Sequence, residues 1–155
     1  MEIVFWTLIV LSFYSYLLFP LSLIPLTKIA RKPWDKEDIR PNITLVISVY
    51  NEEKIIARKI KNTLDLDYPV KQLEILVVSD GSTDDTERIV RGFNDERVVL
   101  KAFRERSGKT ECLNRAVPGA QGEIILFTDA NSMFFKDVLV KLVRNFADPE
   151  VGLVT

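Results

Sequence analysis

The chain has 155 residues, 28% of them charged, with 21 lysines and arginines against 22 acids and no histidine. That length suits one ordinary domain with an appendage, the charge content excludes a disordered polymer, and the balance of signs gives no basic footprint for nucleic acid. Without histidine, metal binding and proton transfer fall to carboxylates; the single cysteine, Cys112, forms no internal disulfide and reads as a small buried residue in a reducing compartment.

No charged residue occurs from Ile3 to Thr27, and a bilayer takes about 20 apolar residues to cross. Residues 1–27 are therefore predicted to form one transmembrane helix. A cleaved signal peptide fits less well, since Glu2 stands where a basic start is wanted and Pro20 and Pro25 occupy the far end. Lys28, Arg31 and Lys32 follow, and the positive-inside tendency then predicts a single-pass protein of the cell membrane with the rest of the chain cytoplasmic. Residues 28–42, polar and carrying Pro33 and Pro41, read as a linker. The N-x-T match at Asn42 is left unused by a cytoplasmic placement.

From residue 43 the rhythm changes. I-T-L-V-I-S-V (43–49) is an apolar, β-branched run predicted as a strand, and Ile56, Ile60 and Leu64 then recur at helical spacing. L-E-I-L-V-V-S (73–79) repeats the strand signal, with Ile89, Val90 and Phe93 marking the next helix. V-V-L-K-A-F (98–103) is a third strand, G-K-T-E-C-L-N-R-A a third helix, and E-I-I-L-F-T (123–128) a fourth strand. Val138, Leu139, Leu142, Val143 and Phe146 form a further amphipathic stripe, and V-G-L-V-T reads as the start of a fifth strand.

Strands apolar on both faces and alternating with helices predict an α/β fold: a mainly parallel, Rossmann-like sheet with helices on both faces. Ligands of such sheets bind beyond the carboxyl ends of the strands. Polar residues gather there: Ser48, Tyr50, Asn51 and Glu52 after the first strand, Ser79 and Asp80 after the second, Thr128, Asp129 and Asn131 after the fourth.

Each group also has a plainer reading. In D-G-S-T-D-D-T (80–86), Gly81 suits a tight turn, Ser82 or Thr83 a helix cap, and Asp84 and Asp85 the helix dipole. Asp80 is left over, and a carboxylate at a strand tip can accept hydrogen bonds from a base edge or a ribose hydroxyl. The G-x-G-x-x-G fingerprint is absent, which argues against a dehydrogenase. R-E-R-S-G-K-T (104–110) lacks the first glycine of a phosphate loop and follows the third strand; Arg106 or Lys109 at a helix start can approach a diphosphate or simply face water. A hard cation on a diphosphate takes one or two protein carboxylates, a role open to Asp129, with Asn131 offering a neutral oxygen; the alternative is a helix cap.

V-I-S-V-Y-N-E-E, V-V-S-D-G-S-T-D-D-T, G-K-T-E-C-L-N-R-A and F-T-D-A-N-S, in this order and spacing, resemble the nucleotide-binding half of family 2 glycosyltransferases, which have the GT-A fold. The resemblance spans residues 43–155, and the apolar helix with its basic linker is similar to that of membrane-anchored bacterial or archaeal members. It implies a nucleotide-sugar donor, usually a uridine diphosphate sugar, Mg²⁺ or Mn²⁺, and sugar transfer with inversion. Carried over by position, Ser48, Tyr50, Glu52 and Asp80 hold the nucleotide and Lys109 lies near the diphosphate. Asp129 matches the first acid of the family's D-x-D element, at nucleotide and metal, while Asn131 stands where the second acid is commonly the direct metal ligand. In the family the acceptor-binding half and the catalytic base come later than these motifs, so the resemblance implies a donor-binding half, slow or inactive alone, and no catalytic residue is assigned. Two other readings stand beside it: a non-catalytic nucleotide-binding or interaction subunit whose second chain supplies the acceptor half, and a gene fragment without activity.

Overall fold

The computed structural model describes residues 1–29 and 35–155; Arg31, Lys32 and Pro33 of the predicted linker lie outside the described residues. The chain falls into two compact units, Met1–Trp34 and Asp35–Thr155.

The first unit holds a 28-residue helix from Glu2 to Ile29, long and apolar enough to cross a membrane. It is made of α1 (Glu2–Phe13), a wider π-helical stretch (Tyr14–Leu18) and α2 (Phe19–Ile29). The wide stretch leads directly into Pro20, which has no N–H for the carbonyl four residues back and crowds that carbonyl with its ring. Widening the turn is one way a helix accommodates this. The hydroxyls of Thr7, Ser22 and Thr27 donate to the carbonyls of Ile3, Phe19 and Ile24, so these polar groups are satisfied without water.

The second unit alternates strictly: β1 (Ile43–Val49), α3 (Ile56–Leu64), β2 (Leu73–Asp80), α4 (Thr86–Arg91), β3 (Val98–Phe103), α5 (Lys109–Ala116), β4 (Ile124–Asp129) and α6 (Val138–Val143). All strand pairs are parallel, in the order β3-β2-β1-β4. Side chains alternate across the pleat. Ile43, Leu45, Ile47 and Val49 of β1 therefore join Ile56 and Ile60 of α3, Val90 of α4, and Leu139 and Val143 of α6 in one core. Val46 joins Leu76, Val78, Cys112 and Ala116 on the opposite face, where α5 lies. The chain steps outward from β1 to β3 and then crosses to the far side of β1; with right-handed crossovers, that reversal puts α5 on the face opposite α3 and α4.

Two details differ from the sequence reading. Residues 151–155 form no strand: the N–H of Val151 turns back to the carbonyl of Asp148 at 3.0 Å, and no strand pairs with this segment among the described residues. Phe93 lies beyond α4, because the N–H of Gly92 closes onto Arg88 and Ile89 and the chain turns there, although its ring still packs against the core.

Candidate functional site

The strand order reverses between β1 and β4, which is where a doubly wound sheet opens a crevice at its carboxyl edge. The register places Ser48 of β1 opposite Asp129 of β4 and Val49 opposite Ser79 of β2. Both β2 and β4 run one residue further than the apolar pattern suggested, so Asp80 and Asp129 are the last residues of their strands. Ser48, Tyr50, Glu52, Asp80, Lys109 and Asp129 all line one cavity of about 200 Å³ at this edge, joined by Arg106 and Gly108. Asn131 is not among its lining residues; it is exposed, two positions past the tip of β4. A larger cavity, about 310 Å³, lies at the opposite, amino ends of the strands. Its acid Glu74 already accepts from Thr44 and from the N–H of Gln121, so chemistry is better placed at the carboxyl edge.

The loops after β1 and β2 clasp each other. Asn51 has φ +54°, a left-handed conformation that asparagine tolerates. Its N–H donates to Ser82 Oγ at 3.1 Å, and its side-chain carbonyl accepts from the N–H of Thr83 at 2.8 Å. The N–H of Glu52 donates to Thr86 Oγ1 at 2.8 Å and that of Glu53 to Asp84 Oδ2 at 3.1 Å. Ser82 and Thr83 thus serve the neighbouring loop, and it is Asp84 that takes the N–H of Thr86 at the start of α4.

Asp80, 4% exposed, is held by the segment that leads into α5. Its Oδ1 accepts from the N–H of Ser107 at 2.8 Å and from the Ser107 hydroxyl at 3.2 Å, and its Oδ2 accepts from the N–H of Gly108 at 2.9 Å. Burial alone would raise its carboxyl, but these donors and the charge of Arg106 outweigh that and hold it below the usual carboxylate range. The close approach depends on Gly81, with φ +70°, where a Cβ would stand 2.9 Å from the backbone nitrogen of Arg106. Asp80 is therefore a clasp as well as a cavity residue, a structural role that the sequence reading did not assign to it.

The Arg106 guanidinium lies over the Tyr50 ring, 4.0 Å from its centroid, and forms one wall. Across the cavity Lys109 Nζ pairs with Asp129 Oδ1 at 2.5 Å. Cys112 is fully buried, and burial, with Asp80 nearby, pushes its thiol up to about 11, so it is inert as a nucleophile.

Sequence reasoning passed over Lys59. It belongs to the buried face of α3 with Ile56, Ile60 and Thr63. The three-and-four spacing of these positions was a usable signal. Burial pulls its ammonium down to about 8, and the charge of Asp129 offsets part of that.

No group of three or more acid, histidine or cysteine side chains that could cage a metal occurs among the described residues. The exposed Asp129, with the Asn131 amide two residues on, fits a different donor set: a hard cation that takes most of its oxygens from a diphosphate and water.

Residues 44–155 match the sequence profile of glycosyl transferase family 2. Beta-monoglucosyldiacylglycerol synthase of Nostoc sp. is 36% identical over 118 residues, covering 74% of this chain and 25% of that protein. Poly-beta-1,6-N-acetyl-D-glucosamine synthase of Staphylococcus aureus is 29% identical over 127 residues, covering 81% and 30%. The chain thus spans about a quarter to a third of the length of these curated relatives. Among solved structures, a mannosyltransferase from Pyrobaculum calidifontis, in complex with GDP-Man and Mn²⁺, superposes with a TM-score of 0.78 at 34% identity over 93% of this chain and 44% of its own. TarS of S. aureus, in complex with UDP-GlcNAc, gives 0.61 at 29% identity over 64% of this chain and 29% of its own. The architecture is GT-A-like.

Proposed function

We propose that this chain, which belongs to glycosyl transferase family 2, binds a nucleoside diphosphate sugar and a divalent cation in the β1–β4 crevice. It does so as the donor-binding part of a membrane-attached enzyme that transfers the sugar with inversion. The observation that carries this is the convergence of Ser48, Tyr50, Glu52, Asp80, Lys109 and Asp129 on one cavity at the reversal of strand order. Neighbours bound to GDP-Man with Mn²⁺ and to UDP-GlcNAc support the ligand class and leave the base open between guanine and uracil.

In this reading Tyr50 and Arg106 offer flat surfaces to the base, and the Lys109 ammonium offers charge to the diphosphate. Asp80 keeps the Ser107–Gly108 segment at the cavity edge. Asp129, with Asn131 beside it, would hold Mg²⁺ or Mn²⁺, which supplies charge neutralisation on the leaving diphosphate. The base that activates the acceptor hydroxyl is assigned to none of these residues. The Glu2–Ile29 helix attaches the enzyme to the membrane, with Lys28 at its cytoplasmic end.

Calorimetry of the full chain in detergent, titrated with uridine and guanosine diphosphate in Mn²⁺, Mg²⁺ or chelator, tests the proposal. One nucleotide should bind, about tenfold or more tightly with the cation, a gain of about 1.4 kcal/mol. Binding of neither nucleotide would refute it.

A further inference from the structure

The geometry points to Lys59 as a positioning residue that straps the turn carrying Asp129 and Asn131 from inside the protein, fixing it in the shape that takes a cation. The inference rests on the cation reading of Asp129 given above.

Lys59 is 0% exposed and is the largest fully buried side chain of the described residues. No carboxylate is paired with it among them; its Nζ donates to Thr128 Oγ1 at 3.0 Å and to the carbonyl of Ser132, and lies 4.0 Å from the centroid of the Phe134 ring. Thr128 immediately precedes Asp129 and Ser132 immediately follows Asn131, so one ammonium grips both ends of the D-A-N turn. The Thr128 hydroxyl in turn donates to the carbonyl of Asp129 at 3.3 Å, which extends the hydrogen-bonded line from Lys59 into the backbone of the acid itself. One turn further along α3, Asn62 exchanges two hydrogen bonds with the backbone of Phe134, at 2.8 and 2.9 Å, and anchors the far side of the same loop.

Packing alone does not explain this residue. A buried ammonium without a counter-ion is expensive, and a methionine of similar length would fill the space without that penalty. What the ammonium adds is several N–H donors at one point and a positive charge beneath Asp129. Among the described residues the Asp129 carboxylate, 57% exposed, pairs with Lys109 alone. Its position is set by the backbone that carries it, and residues that orient a metal ligand matter to the metal nearly as much as the ligand does.

The test uses the full chain in detergent, with Mn²⁺ and whichever of uridine or guanosine diphosphate the wild type binds. In Lys59→Met, nucleotide affinity in chelator should stay within about twofold of wild type while Mn²⁺ affinity of the nucleotide complex falls about 10- to 100-fold. A merely structural lysine would move both affinities together. Equal loss in chelator and in Mn²⁺, or an unchanged Mn²⁺ effect, overturns the inference. If Lys59→Met does not fold, Thr128→Val and Thr128→Ser decide: loss of the Mn²⁺ effect in the valine variant alone supports the strap, and retention in both overturns it. If wild type binds nucleotide with no Mn²⁺ effect, the cation reading of Asp129 fails and the inference fails with it. A wild-type Mn²⁺ effect that these variants leave intact refutes the strap alone.

Discussion

Lys109 Nζ stands 2.5 Å from Asp129 Oδ1, so the first residue of α5 and the last residue of β4 close the crevice with one ion pair. Both side chains are more than half exposed, at 60% and 57%. Such pairs add little stability. In the proposed function the two charges would serve the two halves of an incoming complex, the ammonium for phosphate oxygens and the carboxylate for a cation. Lys109→Met should therefore leave thermal unfolding nearly unchanged. It should weaken nucleoside diphosphate binding about tenfold or more, as expected for a lost charged hydrogen bond. Unaltered affinity in calorimetry would remove Lys109 from the site.

Within T-D-A-N the only formal charge is that of Asp129. Asp129→Asn should erase most of the difference between nucleotide binding in Mn²⁺ and in chelator. Asn131→Asp should enlarge it by adding a second hard oxygen donor. Titrations of wild type and both variants measure this. Metal-independent binding in all three would make the strand tip a sugar contact or a cap.

The Glu2–Ile29 helix has no buried residues within its own unit, so its apolar side chains need a covering that water does not provide. Expressed from Met1, the chain should sediment with membranes and resist carbonate extraction. A protein that stays soluble without detergent would contradict this.

Much of the fold was legible because β1 and β3 are mainly apolar runs whose limits match the observed strands. The cavity was partly legible for a related reason: a parallel sheet delivers every strand tip to one edge, so the polar tips include Ser48, Tyr50, Glu52, Asp80 and Asp129, while Arg106, Gly108 and Lys109 come from the segment after β3. Contacts between distant segments were not legible. Nothing local says that Asp80 will find Ser107 and Gly108, or that Ser82 will turn to Asn51 instead of its own helix. The apparent fifth strand failed because a strand signal is apolar composition, whereas a strand requires a partner.

Gly122 belongs to the same class of hidden constraint. Its N–H donates to Thr44 Oγ1 at 2.8 Å, and a Cβ there would lie 2.2 Å from the Thr44 nitrogen and 2.5 Å from the Ile43 carbonyl carbon. Those are backbone atoms of β1 and cannot swing aside. Gly122→Ala should destabilise the domain by about 3 kcal/mol, at the upper end of overpacking effects. Urea unfolding would show it, and a midpoint equal to wild type would disprove the close approach.

Asp80 links stability to acid. Its carboxyl is held below its ordinary value in the folded protein, so the unfolded chain binds the proton more readily. Stability from this group is then fully present above the ordinary carboxylate value of about 4, and is lost as pH falls through the lower folded value. Asp84 and Asp95 are held low as well and act in the same direction. Asp80→Asn isolates one contribution: its amide nitrogen cannot accept from Ser107 or Gly108, so at least one of these two N–H groups loses its charged acceptor. At pH 7 the variant should be about 1 to 3 kcal/mol less stable than wild type. Between about pH 5 and pH 2 that gap should narrow, because only the wild type has a carboxylate to protonate at this position. Urea unfolding at several pH values measures the gap; a difference constant across this range would show that Asp80 does not hold the loop as a carboxylate.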